Sequence, residues 1–279
     1  MEQIKQNHLT CKICGHPVDK YFTTPVLRKY PVDILRCPHC GFLFPAEVFW
    51  LKEAYQHPIN LEDTGMLERN IKFAKIISVI LYCFFKRQGQ FLDFAGGYGV
   101  FTRLMRDAGF QFYWNDPHTP NLFARGCESE LNSGQKFELI TAFEVFEHFE
   151  NPLEEISRLC SLSDNLLFST LLLPSRPPEA SEWWYYGFEH GQHISFYSRK
   201  TLEILAQKYQ RNLLSSHNLH LFTTKKIPSL LYQFMVKAGP IFLYLPIKEL
   251  MGSLTNRDAE AMRERLKNKE NSIGYHESV

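Results

Sequence analysis

Residues 90–116 constrain the fold of this chain more than any other stretch. A short apolar run, Phe91 and Leu92, ends in an acid, Asp93, and a turn with Gly96, Gly97 and Gly99 follows. Val100, Phe101, Leu104 and Met105 then recur at helical spacing until Gly109 stops the helix. A second short strand, 110–115, leads into a second acid, Asp116. The pattern predicts a β-α-β unit with glycines at its first turn and an acid closing each strand, a layout that suits a nucleoside-bearing cofactor.

Each part has its own physical reason. Glycines let the backbone pass close to a ligand, because a Cβ there would occupy the ligand's space. Asp116, 19 residues beyond Gly97, is spaced to accept hydrogen bonds from both hydroxyls of a ribose. A carboxylate at the first turn would repel a pyrophosphate and attract a cation. That favours S-adenosylmethionine (SAM), with its ammonium and sulfonium, over a nicotinamide dinucleotide.

The run Asp93-Phe-Ala-Gly-Gly-Tyr-Gly99 resembles the acid-x-Gly-x-Gly-x-Gly motif of class I SAM-dependent methyltransferases, with Asp116 at the ribose-acid position. Ala95 departs from the motif, standing where its first glycine usually sits. Thr141-Ala-Phe-Glu-Val-Phe-Glu-His148, followed by Asn151-Pro152, resembles that superfamily's fourth-strand motif. The resemblance covers residues 11–45 and roughly 68–225, and is nearest to bacterial members with a small N-terminal zinc-binding module, several of which act on sugars. It implies an α/β fold with a doubly wound, mostly parallel seven-stranded sheet. It also implies a cofactor site built from Asp93, Ala95, Gly96, Gly97, Gly99, Asp116, Ala142 and Glu144.

Seven cysteines divide into a patterned four and a scattered three, Cys83, Cys127 and Cys160, which suit plain packing. Cys11-Lys-Ile-Cys14 and Cys37-Pro-His-Cys40 are two Cys-x-x-Cys knuckles, each followed by a glycine, Gly15 and Gly41. Four thiolates so spaced predict a tetrahedral Zn2+ site, structural because no coordination position stays open. His16 and His39 are surplus to it. The ion would supply folding energy that so short a segment lacks in apolar core. Tyr30-Pro31 and Phe42-Leu-Phe44 are candidates to dock the module over the mouth of the catalytic domain.

Strands and helices alternate through the middle of the chain, which argues for a doubly wound sheet. The expected organisation is a zinc-ribbon module over 1–45, a linker with a short helix over 46–67, a SAM-binding domain over 68–225 and a helical extension over 226–279. Within the domain a helix is expected over 68–87, strands over 137–143 and 165–173, helices over 151–162 and 199–210, and a closing hairpin over 212–225. Residues 174–192 read as a long aromatic loop whose Trp183, Trp184, Tyr185 and Tyr186 offer a stacking surface for a sugar or nucleobase. Residues 256–271 read as a solvated charged helix ending in a disordered tail.

Chemistry is expected from Glu144, Glu147 and His148, which follow a buried strand and would share a face in a helical turn. His148 is the candidate general base, with Glu147 and His193 beside it as catalytic candidates. A similar Glu-x-x-Glu-His pattern holds a metal in some methyltransferases acting on catechol-like or terminal-ribose hydroxyls, so a divalent ion at Glu144, Glu147 and His148 is the alternative use of the cluster.

The expected function is therefore methyl transfer from SAM to an oxygen or carbon of a small, sugar-like acceptor, and the resemblance points towards nucleotide-linked or surface-glycan sugars. One rival is an RNA methyltransferase whose zinc ribbon grips RNA; another is a SAM-binding scaffold without turnover. A net charge of +1 gives no long-range attraction for nucleic acid. The opening residues are polar with no apolar run behind them, and the cysteine count is odd, so a reducing cytoplasm is expected. The apolar residues 226–250 are interrupted by Lys237, Gly239, Pro240 and Pro246, which argues against a membrane span. Packing on the core or on a partner in a homodimer is the expected role there, with a membrane surface as the alternative.

Overall fold

The first turn of sheet in the computed structural model, which describes residues 9–56, 63–131 and 134–274, lies just after the first cysteine knuckle. Strands β1 (Asp19–Val26), β2 (Tyr30–Arg36) and β3 (Leu43–Pro45) form an antiparallel meander in that order, and a single-turn helix α1 (Leu51–Ala54) follows. Next come α2 (Met66–Phe84), β4 (Gln90–Phe94), α3 (Val100–Asp107), β5 (Gln111–Asn115), β6 (Leu139–Phe143), α4 (Pro152–Leu162) and β7 (Asn165–Ser169). The chain then forms α5 (Arg199–Lys208), β8 (Asn212–Ser216), β9 (Leu219–Thr223), α6 (Ser229–Lys237), α7 (Gly239–Phe242), α8 (Tyr244–Met251) and α9 (Thr255–Gly274).

The main sheet runs β5-β4-β6-β7-β9-β8, six strands and mostly parallel, as expected of an α/β methyltransferase fold. Strands β4 and β5 pair parallel, as do β6 and β7, while β9 is antiparallel to both β7 and β8. The seventh strand read from the sequence is absent among the described residues. Its place is taken by one isolated bridge between Trp114 and Glu128. Pro117 and Pro120 lie in the connection, where neither can donate to a ladder.

Two compact units emerge from the packing: residues 1–64 with 134–233, and residues 65–133 with 234–279. In the first, one apolar cluster draws Val26, Val32, Ile34, Leu43 and Trp50 from the N-terminal segment and Tyr185, Tyr186, Phe188, Ile194 and Phe196 from the loop before α5. This corrects the expected stacking surface. Tyr185 and Tyr186 are fully buried core residues, and of that quartet only Trp184 is largely exposed. Helix α5 starts where Ser198 and Thr201 exchange side-chain and backbone hydrogen bonds in a capping box, an arrangement worth about 1 kcal/mol.

In the second unit, α2 buries Phe73, Ile76, Ile77, Val79, Ile80 and Leu81 at helical spacing. The charged helix α9 is not simply solvated. Its Asp258 accepts from Arg106 Nε at 2.7 Å and Nη2 at 2.5 Å, and from Arg103 Nη1 at 2.9 Å, which ties α9 to α3. The disordered tail expected after α9 falls largely outside the described residues.

Candidate active site

The glycine turn between β4 and α3 has the conformation its sequence demands. Gly97 and Gly99 are left-handed, at φ 53° and 83°, and so is Ala95, at φ 53°. Ala95 thus takes the backbone shape of the glycine it replaces, at a cost of roughly 1–2 kcal/mol. A Cβ on Gly96 would sit 2.6 Å from Asp93 Oδ2 and 2.8 Å from Trp114 Cδ1, so no side chain fits there. A Cβ on Gly97 would meet nothing within 4 Å, the open approach that a ligand lying along the turn requires. Trp114 Nε1 donates to the Gly97 carbonyl at 2.9 Å and fixes the loop.

Both acids of the motif belong to this region. Asp93 is buried and accepts from Thr102 Oγ1 at 2.8 Å. Asp116 Oδ2 accepts from Gly97 N at 2.9 Å, and its Oδ1 accepts from the amides of His118 and Thr119 at 2.8 and 3.0 Å. The carboxylate spacing read from the sequence therefore corresponds to a real contact between the second acid and the glycine turn. Oδ2, with one donor, retains a lone pair for a further hydroxyl.

In the other unit, β6 ends in buried Ala142 and then Glu144, whose φ of 55° is unusual for a residue with a side chain. Ser169 holds it on both sides: Oγ accepts from Glu144 N at 2.8 Å and donates to Oε1 at 2.5 Å. A 3-10 turn over Phe146–His148 follows. The expected helical face of Glu144, Glu147 and His148 does not form, because Glu144 is turned aside onto Ser169. Instead Glu147 and His148 meet His193, with one ligating atom from each within 4.8 Å of the others.

Hydrogen bonding sets how the two histidines present themselves. His148 Nδ1 lies 3.0 Å from the Gln192 carbonyl and 3.0 Å from Tyr55 Oη, and His193 Nδ1 lies 2.7 Å from the Tyr185 carbonyl. A carbonyl only accepts, so each neutral ring carries its proton on Nδ1 and keeps a lone pair on Nε2. Both histidines are half-buried, and enclosure of the rings disfavours the cation. Burial pushes His148 down to about 4 and His193 well below the usual imidazole range.

Glu147 is fully buried, and neither carboxylate oxygen has a hydrogen-bond donor in place. Thr170 and Tyr185 favour its ionisation weakly, but their hydroxyls bond to each other at 3.1 Å and neither completes a bond to the carboxylate. Burial, with the Glu144 charge second, raises Glu147 to about 8. A buried acid without partners is costly, and such groups concentrate at functional sites. Tyr55 and Gln192 were not legible as site residues. Tyr55 lies in a stretch without periodicity, and Gln192 takes part through its backbone oxygen.

The four cysteines of the two knuckles converge as their spacing requires. Cys11 Sγ is 3.5 Å from Cys40 Sγ, and Cys14 Sγ is 3.5 Å from Cys37 Sγ. All four sulfurs lie within 4.8 Å of one another, close to the edges of about 3.8 Å in a tetrahedron of 2.3 Å Zn–S bonds. Gly15 and Gly41 end the knuckles in the left-handed region, at φ 73° and 77°. Phe42 to Phe44 pack within this unit, Leu43 exchanging backbone hydrogen bonds with Phe196. Tyr30 instead bonds Glu53.

Residues 67–216, more than half the chain, match the model of a family described as a methyltransferase domain. No curated protein matches the chain significantly. Solved structures that it resembles include an O-methyltransferase family protein from Burkholderia thailandensis (14% identity, TM-score 0.44, 64% of this chain and 65% of that one). Another is the mitomycin 7-O-methyltransferase MmcR (13%, 0.46, 62% and 59%). A third is the SAH-bound magnesium protoporphyrin IX methyltransferase from Synechocystis PCC 6803 (14%, 0.41, 63% and 94%). The chain thus aligns with less than two thirds of the first two. The glycine turn and its two acids stand where the motif of class I SAM-dependent methyltransferases would place them. The chain belongs to the methyltransferase domain family.

Proposed function

We propose that this protein transfers the methyl group of SAM to an oxygen or carbon of a small, sugar-like acceptor, and that the cluster of Glu147, His148 and His193 takes the proton the acceptor loses. SAM would lie along the turn of Asp93, Ala95, Gly96, Gly97 and Gly99, with its ribose on Asp116, and Ala142 and Glu144 complete the expected cofactor set. The sulfonium is itself a strong electrophile, so the protein has to align the reacting atoms, exclude water and manage one proton. The observation that carries the reading is the pairing of two neutral imidazoles, each with Nε2 unprotonated, against a buried acid. In the form with Glu147 already ionised, His148 Nε2 accepts the proton, and the carboxylate beside it stabilises the imidazolium. The two titrate as one unit rather than as separate groups.

A second reading has its own support in the orphaned oxygens of Glu147. Two Nε2 lone pairs and a carboxylate form a donor set suited to a divalent ion, with His193 in the position first expected of Glu144. Such an ion would lower the pKa of an acceptor hydroxyl. In both readings Cys11, Cys14, Cys37 and Cys40 hold a structural Zn2+, the use their sulfur geometry supports.

Thermal unfolding with and without SAM or its demethylated product tests the cofactor. At about a hundred times the dissociation constant the ligand should add about 2.7 kcal/mol, and Asp116→Ala should remove that gain. His148→Ala should abolish methylation of a responding nucleotide sugar while leaving the SAM-induced shift intact. Loss of the shift in folded His148→Ala protein would overturn the division of roles.

A further inference from the structure

The segment from Phe234 to Met251, in α6, α7 and α8, is apolar on two opposite sides. One side is used inside its own unit: Val236, Gly239 and Ile247 are buried, and Gly239 packs so closely that a Cβ would lie 2.7 Å from Val79 Cγ1. The other side has no cover. Phe234, Ile241, Phe242 and Leu245 are each between 57% and 75% exposed. Ala238 and Leu243, where the helices join, keep right-handed dihedrals, so positions 234, 241 and 245 recur on one helical face. A helix apolar all round belongs in a core or against lipid, not in water.

The charges say what covers it. From Lys226 to Met251 the charged residues are Lys226, Lys237, Lys248 and Glu249, a local excess of two positive charges in a chain whose total is +1. Lys237 and Lys248 are exposed beside the apolar face, three helical turns apart. Lysine is depleted in the cores of protein interfaces, but beside exposed aromatic and aliphatic side chains it is the mark of a helix lying in a lipid interface. No helix among the described residues is long and apolar enough to cross a membrane. We propose that Phe234–Met251 seats the protein on an anionic lipid surface, with the apolar side chains at the headgroup–acyl boundary and Lys237 and Lys248 on lipid phosphates.

The test is co-sedimentation of the full chain with vesicles of phosphatidylcholine alone and of phosphatidylcholine with phosphatidylserine, alongside light scattering of the free protein. Binding to the anionic vesicles should exceed binding to the neutral ones and weaken with salt. Phe242→Ser with Leu245→Ser should lower the partition coefficient by about tenfold or more, and Lys237→Glu with Lys248→Glu should abolish the preference for anionic lipid. Both variants should retain the parent's melting midpoint and its SAM-induced shift, which separates this inference from the cofactor assignment. Absence of vesicle binding would overturn the proposal. So would a stable dimer that Phe242→Ser with Leu245→Ser turns into monomer, since the face would then be a subunit contact.

Discussion

Replacing Glu147 by glutamine should change how stability depends on pH, in a direction the structure dictates. Burial raises this acid from 4.5 to about 8, so in that window the folded protein holds a proton that the unfolded chain has released. Stability then falls as pH rises, by up to about 1.4 kcal/mol for each unit, and the loss is complete above the folded value. His148 and His193 act oppositely, since their lowered values add stability as pH rises through the ordinary imidazole range, and they are spent by neutrality. Cys11, drawn down to about 5 by its contact with Cys40, works the other way between pH 7 and 8, so only the difference from a Glu147 variant isolates the acid. Denaturant melts at those two values should show the parent losing about 1 kcal/mol relative to Glu147→Gln, or a few degrees in midpoint. Parallel curves for the two proteins would mean that the acid is ionised throughout, and would refute the desolvation argument. A divalent ion that flattens the parent's curve would instead mark occupancy of the cluster.

Two further outcomes follow from parts of the molecule remote from this acid. Asp258→Ala removes the carboxylate that pairs with the buried Arg106 guanidinium, so unfolding free energy should drop by about 3 kcal/mol, read from chemical denaturation. Chelator treatment, or Cys37→Ser, should release one equivalent of zinc and lower the melting midpoint, and protein that melts unchanged without metal would exclude a structural role for the ion.

What was legible in the sequence was mainly local. The turn from Asp93 to Gly99 and the two cysteine knuckles each fit within a few residues, and backbone sterics or ligand geometry leave such patterns few alternatives. Helix α2 and the hairpin of β8 and β9 were legible because apolar spacing repeats over many residues. Features set by distant parts of the chain were not. Tyr185 and Tyr186 looked like a surface because a proline-rich loop hides the fact that Val26, Ile34 and Trp50 come to meet it. Glu144 looked like the partner of Glu147 until a serine on the neighbouring strand turned it aside.

The Cys40 carbonyl accepts hydrogen bonds from Ser198 Oγ at 2.6 Å and Thr201 Oγ1 at 2.9 Å, at the start of α5. Trp50 Nε1 donates to the Gly191 carbonyl at 2.8 Å, two residues from His193. The cysteine segment is thus no detachable ornament. Cutting the chain near residue 45 or 64 would strip Val26, Val32, Ile34 and Leu43 from the cluster that packs the loop carrying the histidine. A shortened version designed around the matched family region would retain the glycine turn and lose the scaffold that orients His193. In that sense the packing that holds His193 reaches back into the cysteine segment.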